Sequence, residues 1–392
     1  MSQGLNFSLT DEQESFRQSV RQFVEDKIAP RAAEVDETDE FPWDLDELFV
    51  KNGFTGVSYP EEFGGYGGGA LELALLIEEV SRWSAGIALV PAVNKLGAIP
   101  VLLAGTDDQK RLVCEGISTG AHRMSYCLTE PSSGSDAGAM KSKAVQDGDD
   151  WIINGTKRFI TNAGASDLYT YFAVSDPDGD KGRNITCFLV SKDMKGFEIG
   201  KKEDKMGIRG SPTREVILND VRVPKENVIG EVGQGFPIAM RTLDFSRPSV
   251  AAQALGIAQG AFDFAVGYVK ERQQFGKPIA AFQGMQFMFA DMAMKIETAR
   301  LAVYQAATAI DNSTWDLKPD PRVSYLAAIA KCYASDSAMS VTTDCVQALG
   351  GYGYIKEYPV ERLMRDAKIT QIYEGTNQIQ RMVIARSIFG GR

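Results

Sequence analysis

Apolar positions in the first third of the chain recur at helical spacing, and from Phe7 to about Gly120 the pattern predicts a run of helices. Thr10 followed by Gln13, and Thr106 followed by Gln109, have the hydroxyl-then-amide spacing of a capping box, which sets helix starts just after each threonine. Between them, Leu71 to Trp83 is apolar with charges spaced into it, as in a buried helix. From about Arg123 to Pro224 the texture changes to short β-rich runs separated by polar turns: WIING (151–155), LYTYFAV (168–174), ITCFLVS (185–191) and REVIL (214–218). Asp147-Gly148 and Asn154-Gly155 are dipeptides of the hairpin-turn type. After Gly235 helical spacing returns in longer segments. Phe282, Met285, Phe289, Met292, Ile296, Ala299 and Val303 step by three and four, the seam of a helix packed in a bundle and a core stripe rather than a cofactor box. Another long helix is expected from Pro321 to Leu349, stopped by Gly350-Gly351. The order helices, strands, helices predicts an α+β, mostly α protein in three parts, 1–121, 122–235 and 236–392.

Composition narrows the function. At 392 residues, 44% of them apolar, the chain can fill more than one core. A net charge of -10 argues against nucleic acid or an anionic membrane surface as the main partner. Cys114, Cys127, Cys187, Cys332 and Cys345 form no CxxC pair and are odd in number, which suits buried free thiols in a reducing cytoplasm. With His122 as the sole histidine, neither a histidine-based metal site nor a Ser-His-Asp triad has material, so no metal is expected. No N-terminal apolar segment and no long uncharged apolar stretch stands out, so neither export nor membrane insertion is expected.

Five motifs remain as candidate chemistry. In IYEGT, Glu374 precedes Gly375, whose missing side chain lets a flat ligand approach the backbone; the alternative is a solvated carboxylate near a helix end. YCLTEPSSGSDAG (126–138) is a strand ending at Thr129 and then a Ser/Gly loop, either a plain connection or a cradle of hydroxyls and backbone N–H groups for a flavin edge or pyrophosphate. In KRFITNAG (157–164), Phe159 and Thr161 alternate on one strand face, where they meet a common ligand or Phe159 fills the core. ERQQFGK (271–277) offers Arg272 for bidentate phosphate contact, with Phe275-Gly276 ending its helix, against the alternative of a surface arginine. In QALGGYGY (347–354), Gly350 and Gly351 are a helix stop or a point of backbone approach. Asp244 and Arg247 have the spacing of a helical ion pair.

Taken together, in this order and spacing, these motifs resemble the acyl-CoA dehydrogenase family from the first helix to the last residues. The resemblance implies a fold with an N-terminal helical domain, a central β-barrel-like domain and a C-terminal four-helix bundle, with FAD as cofactor and an acyl-CoA as substrate. The stretch Tyr126, Leu128, Thr129, Gly134 and Ser135 would line the flavin, with Ser135 also near substrate. Phe159, Ile160 and Thr161 would continue that wall, Thr161 near the flavin N5; many relatives have Trp at the position of Phe159, which leaves the electron-exit surface open. Arg272, Phe275, Gln283, Gln347, Gly350 and Gly351 would hold the FAD of a neighbouring subunit in a homotetramer. Thr376 and Gln378 complete the cofactor set, while Asp244, Arg247 and Gly375 are assigned to substrate.

By the same resemblance Glu374 takes the α proton as hydride leaves Cβ for flavin N5, giving a trans-2-enoyl-CoA. Isovaleryl-type relatives put their base at the position of Ser246, so here it falls to Glu374. The apolar segment Ile87 to Val93 aligns with the acyl-tail pocket, and without an arginine there a glutaryl-type substrate is disfavoured. A short- to medium-chain substrate, straight or branched, and an electron-transfer flavoprotein acceptor are expected. The rivals are a flavin monooxygenase of the same fold and a non-catalytic helical scaffold.

Overall fold

A computed structural model describes residues 8–180 and 182–390, so Phe7, where the helical pattern begins, lies outside the described residues. The first part holds α1 (Asp11–Phe23), α2 (Ala32–Thr38), α3 (Trp43–Lys51), α4 (Ala70–Ser81), α5 (Ala85–Ala104) and α6 (Asp107–Thr119). Both expected capping boxes form, at Thr10 before α1 and at Thr106 before α6, each satisfying two otherwise orphaned backbone donors. Helix α5 is mostly apolar and, at 20 residues, long enough to cross a membrane, although Lys95 breaks it as an uncharged run. It is a core helix, 83% buried over its most apolar window and packed against α4, α6, the first strand and the first long helix of the last part.

The central part is one eight-stranded sheet: β1 (Met124–Cys127), β2 (Lys143–Asp147), β3 (Asp150–Thr161), β4 (Leu168–Val174), β5 (Ile185–Ser191), β6 (Phe197–Ile199), β7 (Thr213–Val223) and β8 (Val228–Ile229). Its order is β6-β7-β3-β2-β4-β5-β8, with β1 added parallel to β4. No pairing joins β6 to β8 among the described residues, so the sheet is open by its hydrogen bonds. It nevertheless surrounds a core of its own, in which Tyr169, Tyr171, Phe188 and Val190 meet Trp151, Ile153, Val216 and Val221. The alternate residues of the same strands, Leu168, Phe172, Cys187 and Leu189, pack on α5, α6 and the first long helix of the last part. Burial on both faces explains why LYTYFAV and ITCFLVS read as continuous apolar runs.

Two local expectations fail here. Asp147 and Asp150 flank the turn between β2 and β3 as a hairpin requires, but Asn154-Gly155 is no turn. It lies inside β3 at a register shift, where the Asn154 side chain exchanges hydrogen bonds of 2.9 and 2.8 Å with Asp220 on β7. A Cβ on Gly155 would stand 2.2 Å from the Ser142 hydroxyl, so the glycine serves close strand approach. Strand β1 also stops at Cys127, two residues before Thr129.

The last part is helical: α7 (Gly235–Glu271), α8 (Gln283–Asp311), α9 (Pro321–Leu349), α10 (Val360–Thr370) and α11 (Asn377–Phe389). Helix α9 packs against the other four, and Met292, Ile296, Ala299 and Val303 of the expected stripe are buried in the largest core. Phe275-Gly276 does not end α7, which stops at Glu271. Both residues have positive φ, 54° and 77°, and form the turn of a two-residue-strand hairpin, β9 (Gln273–Gln274) with β10 (Lys277–Pro278).

One buried ion pair ties the sheet to the Ser/Gly loop. Lys157, wholly buried on β3, donates to Glu130 Oε1 at 2.8 Å and to the Leu128 carbonyl at 3.2 Å. Glu130 also accepts from the backbone N–H groups of Lys141 and Ser142, at 2.6 and 2.9 Å, so both ends of the 130–142 loop are held at one point. Its pKa lies below the ordinary value because Lys157 and these donors outweigh desolvation. Replacing Lys157 with Met leaves a buried carboxylate without its partner. Urea unfolding should show a loss of about 3–5 kcal/mol, and a Lys157→Met/Glu130→Gln double variant should recover part of it.

Candidate active site

Helix α10 ends at Thr370 and α11 begins at Asn377, and Glu374 sits in the turn between them with φ 53°. A non-glycine residue in the left-handed region is held there by its surroundings. Lys331 on α9 donates to the Gly375 carbonyl at 2.8 Å and to Asn377 Oδ1 at 2.9 Å, and Gln380 on α11 donates to the Gly375 carbonyl at 2.8 Å. Thr376 caps α11 by accepting from the Ile379 N–H at 3.3 Å. Gly375 itself has φ 90°, and a Cβ there would come within 2.7 Å of Gln380 Nε2, so no other residue fits without displacing the support.

The turn faces a cavity of about 950 Å³, at the top of the range for small-molecule sites, whose walls come from all three parts of the chain. Helix α5 contributes Leu89, Ala92, Val93 and Leu96. The sheet contributes Tyr126, Leu128 and Thr129, the loop residues Gly134 and Ser135, and Phe159, Ile160 and Thr161. The last part contributes Arg247 and Gln253 from α7 and Tyr373, Glu374, Gly375 and Thr376 from the turn. Phe159 and Thr161 thus do reach one ligand space, with Ile160 buried between them. The route is a bulge: the register shifts between Lys157 and Ile160, Phe159 takes φ 58°, and its ring is 58% exposed while Lys157 points inward.

Burial raises the Glu374 pKa above its ordinary value, against the opposing pull of the Ser246 hydroxyl, which donates to Glu374 Oε2, and of the Arg247 and Lys331 charges. The rise exists before any ligand enters. Lys331 is pushed down to about 8 by its own burial, with Glu374 the largest opposing influence. Arg247 is 4% exposed and donates to Asp244 Oδ1 at 2.8 Å, which is the expected i,i+3 pair. Asp244 also accepts from Ser324 and does not line the cavity; it stands behind Arg247. The Arg247 Nε is buried without a partner among the described residues, a donor left over beside the cavity.

The other expected cofactor residues are elsewhere. Arg272, Gln283, Gln347, Gly350, Gly351 and Gln378 are exposed, and Phe275 is 92% exposed, none of them on the cavity wall. The Arg272 guanidinium lies 5.4 Å from the Tyr352 ring, and Phe275 packs edge-on to Phe282 beside Gln283, so part of the group shares one end of the helical bundle. Sequence reasoning missed Lys331, Gln253, Tyr373 and Gln380. For Lys331 a signal existed: it is the one charge in the otherwise uncharged run Leu326 to Tyr333.

The chain matches acyl-CoA dehydrogenase N-terminal, middle and C-terminal domains over residues 10–121, 125–221 and 233–389. A probable acyl-CoA dehydrogenase of Mycobacterium tuberculosis is 49% identical over 97% of this chain and 96% of its own length. The butyryl-CoA dehydrogenase structure from Megasphaera elsdenii superposes with a TM-score of 0.93 at 44% identity, covering 98% of this chain and 100% of that one. A chain from a structure described as the electron transferring flavoprotein of Acidaminococcus fermentans, in connection with flavin-based electron bifurcation, superposes at 0.94 with 46% identity over 98% and 100%. The chain therefore belongs to the acyl-CoA dehydrogenase family, which consists of FAD-dependent oxidoreductases.

The cavity fits that cofactor. Along one wall, Thr129, Ser135 and Thr161 present hydroxyls engaged in no side-chain hydrogen bond among the described residues, beside the apolar surface of Leu128, Phe159 and Ile160.

A raised carboxyl pKa has a consequence for stability. The folded state binds the Glu374 proton more tightly than the unfolded state, so ionisation disfavours folding progressively from the ordinary value of 4.5 upward through the raised folded value. Glu374→Gln removes that cost. Chemical denaturation should find this variant stabilised relative to the parent at pH 7 and less so, or not at all, at pH 4.

Proposed function

We propose that this enzyme removes two hydrogens from the α and β carbons of a short- to medium-chain acyl-CoA, giving the trans-2-enoyl-CoA, with Glu374 as the base for the α proton. The observation that carries the reading is the placement of this desolvated carboxylate on the wall of the one cavity that also holds Tyr126, Thr129, Phe159 and Thr161. An α proton beside a thioester is weakly acidic, and a carboxylate whose proton affinity is raised by burial is better matched to it. Bound FAD supplies the acceptor for the hydride that leaves Cβ. Thr129, Ser135 and Thr161 would hold its ring system through their free hydroxyls, while the backbone N–H of Glu374 in its left-handed turn is the donor suited to the thioester oxygen as enolate charge builds.

Chain length follows from the apolar wall between α5 and α7. Gln253 is buried there, donating to the Ala85 carbonyl at 2.9 Å and accepting from the Tyr373 hydroxyl. Two large side chains locked together cut the room beyond Leu89 and Val93, which favours the short end of the range. The similarity to a butyryl-CoA dehydrogenase agrees with this. No arginine stands among the α5 residues of the wall, so a second substrate carboxylate has no partner on that side.

The exposed Arg272, Phe275, Gln283, Gln347, Gly350 and Gly351 support a further part of the reading, in which these residues complete the FAD site of a neighbouring copy in a homotetramer. Gln378, exposed near the start of α11, joins the same set. An electron-transfer flavoprotein is the acceptor we favour, supported by the similarity to the Acidaminococcus fermentans chain. Five free, buried thiols agree with action in the reducing cytoplasm, and the proposed acyl-CoA substrate fits a role in fatty-acid β-oxidation.

Anaerobic mixing of the FAD-loaded enzyme with a panel of acyl-CoAs tests the reading. Flavin bleaching should be fastest with short saturated chains. Glu374→Gln should retain FAD and acyl-CoA binding while reduction slows by roughly 10²–10⁴-fold. Near-normal reduction of that variant, or activity confined to glutaryl-CoA, would overturn the proposal. Gln253→Ala should raise kcat/KM for octanoyl- relative to butyryl-CoA by about tenfold or more.

A further inference from the structure

Ser246 lies on α7 beside Arg247, buried, and its hydroxyl has two acceptors within reach. One is Glu374 Oε2, 128 residues away in sequence; the other is the carbonyl of Leu243 one turn back on its own helix, at 3.4 Å. A hydroxyl carries one proton, so it serves one acceptor at a time. A carboxylate is the stronger acceptor, and a carboxylic acid is a much weaker one, so the balance between the two acceptors depends on the state of Glu374. The helix carbonyl keeps the serine from becoming an orphaned buried donor when it lets go.

Resting on Glu374 as the base, we propose that Ser246 is a positioning residue: its hydroxyl parks the Glu374 carboxylate between turnovers and turns to the Leu243 carbonyl once the carboxyl has taken up a proton. The residue thereby holds the base ionised in a cavity that otherwise favours its neutral form. The other groups facing Glu374 do not duplicate this role. Arg247 on α7 is engaged with Asp244, Lys331 on α9 donates to the turn's Gly375 carbonyl and Asn377, and the Tyr126 and Tyr373 hydroxyls donate to Ala239 and Gln253. Of these, only Ser246 donates to the carboxylate itself.

The test compares the FAD-loaded parent with Ser246→Ala and Ser246→Thr. Infrared titration of the carboxyl band, with Glu374→Gln subtracted, reads the base directly, and the pH profile of kcat/KM for butyryl-CoA reads its use. Ser246→Ala should keep the protonated band, and the acid limb of the profile, at higher pH than the parent. Ser246→Thr, which retains the hydroxyl, should return both. A Ser246→Ala enzyme whose band and acid limb coincide with the parent's would overturn the proposal, as would a uniform rate loss at every pH that Thr does not rescue. The underlying base assignment fails separately: Glu374→Gln would then turn over near-normally whatever the Ser246 variants do.

Discussion

A half-buried carboxylate, partly desolvated by the walls around it, is the constraint on which the site depends. An ionised side chain placed against apolar walls is unfavourable unless specific donors compensate it, and in this fold the compensation comes from three residues on two helices. Ser246 on α7 meets the carboxyl itself, Arg247 on the same helix acts by charge, and Lys331 on α9 acts by charge while holding the turn. Because these supports belong to long helices that pack along one another, the position of one oxygen is coupled to the bundle as a whole.

The same device recurs around the cavity. Glu130 and Lys157 pin the Ser/Gly loop to β3, and Asp366 on α10 accepts from the Ile208 N–H at 2.6 Å, pinning the 206–208 segment that also lines the cavity. Asp366 is wholly enclosed, and burial pushes its carboxyl up to about 6. Ile208 is held at φ 48°, an unfavourable region for a β-branched residue, so the loop is over-determined by its contacts. In each case a loop with little core of its own is fastened to a rigid element by a buried polar group. The cost in stability is set against a site whose walls do not drift.

The outer face of the bundle is built differently. The segment from Arg272 to Pro278, the Gly350-Gly351 turn and Gln378 carry exposed rings and polar side chains rather than buried pairs. The Glu374 end of the cavity is therefore walled by one chain, whereas Arg272, Phe275, Gln283, Gln347, Gly350 and Gly351 face outward.

Much of the architecture was legible in the order of residues because it is set locally. A helical period, short β-rich runs between polar turns, a threonine three residues before a glutamine, and paired glycines after Leu349 act over a few positions, and they correctly marked α1, α6, β4, β5 and the full span of α9. Glu374 and the motifs that meet on the cavity wall were also visible, because a carboxylate beside glycine and a hydroxyl-rich loop carry their chemistry in the residue types. Tertiary structure decided the rest. Asn154-Gly155 reads as a turn by propensity but lies inside β3, because Asp220 and Ser142 approach it from neighbouring strands. The apolar stretch of α5 is a core helix because the other elements bury it. Ser246, Lys331 and Gln253 became site residues only through partners 128, 44 and 120 positions away. The environment that raises the affinity of Glu374 for a proton is a property of the assembled walls, since no short stretch of chain can exclude water from its own side chains.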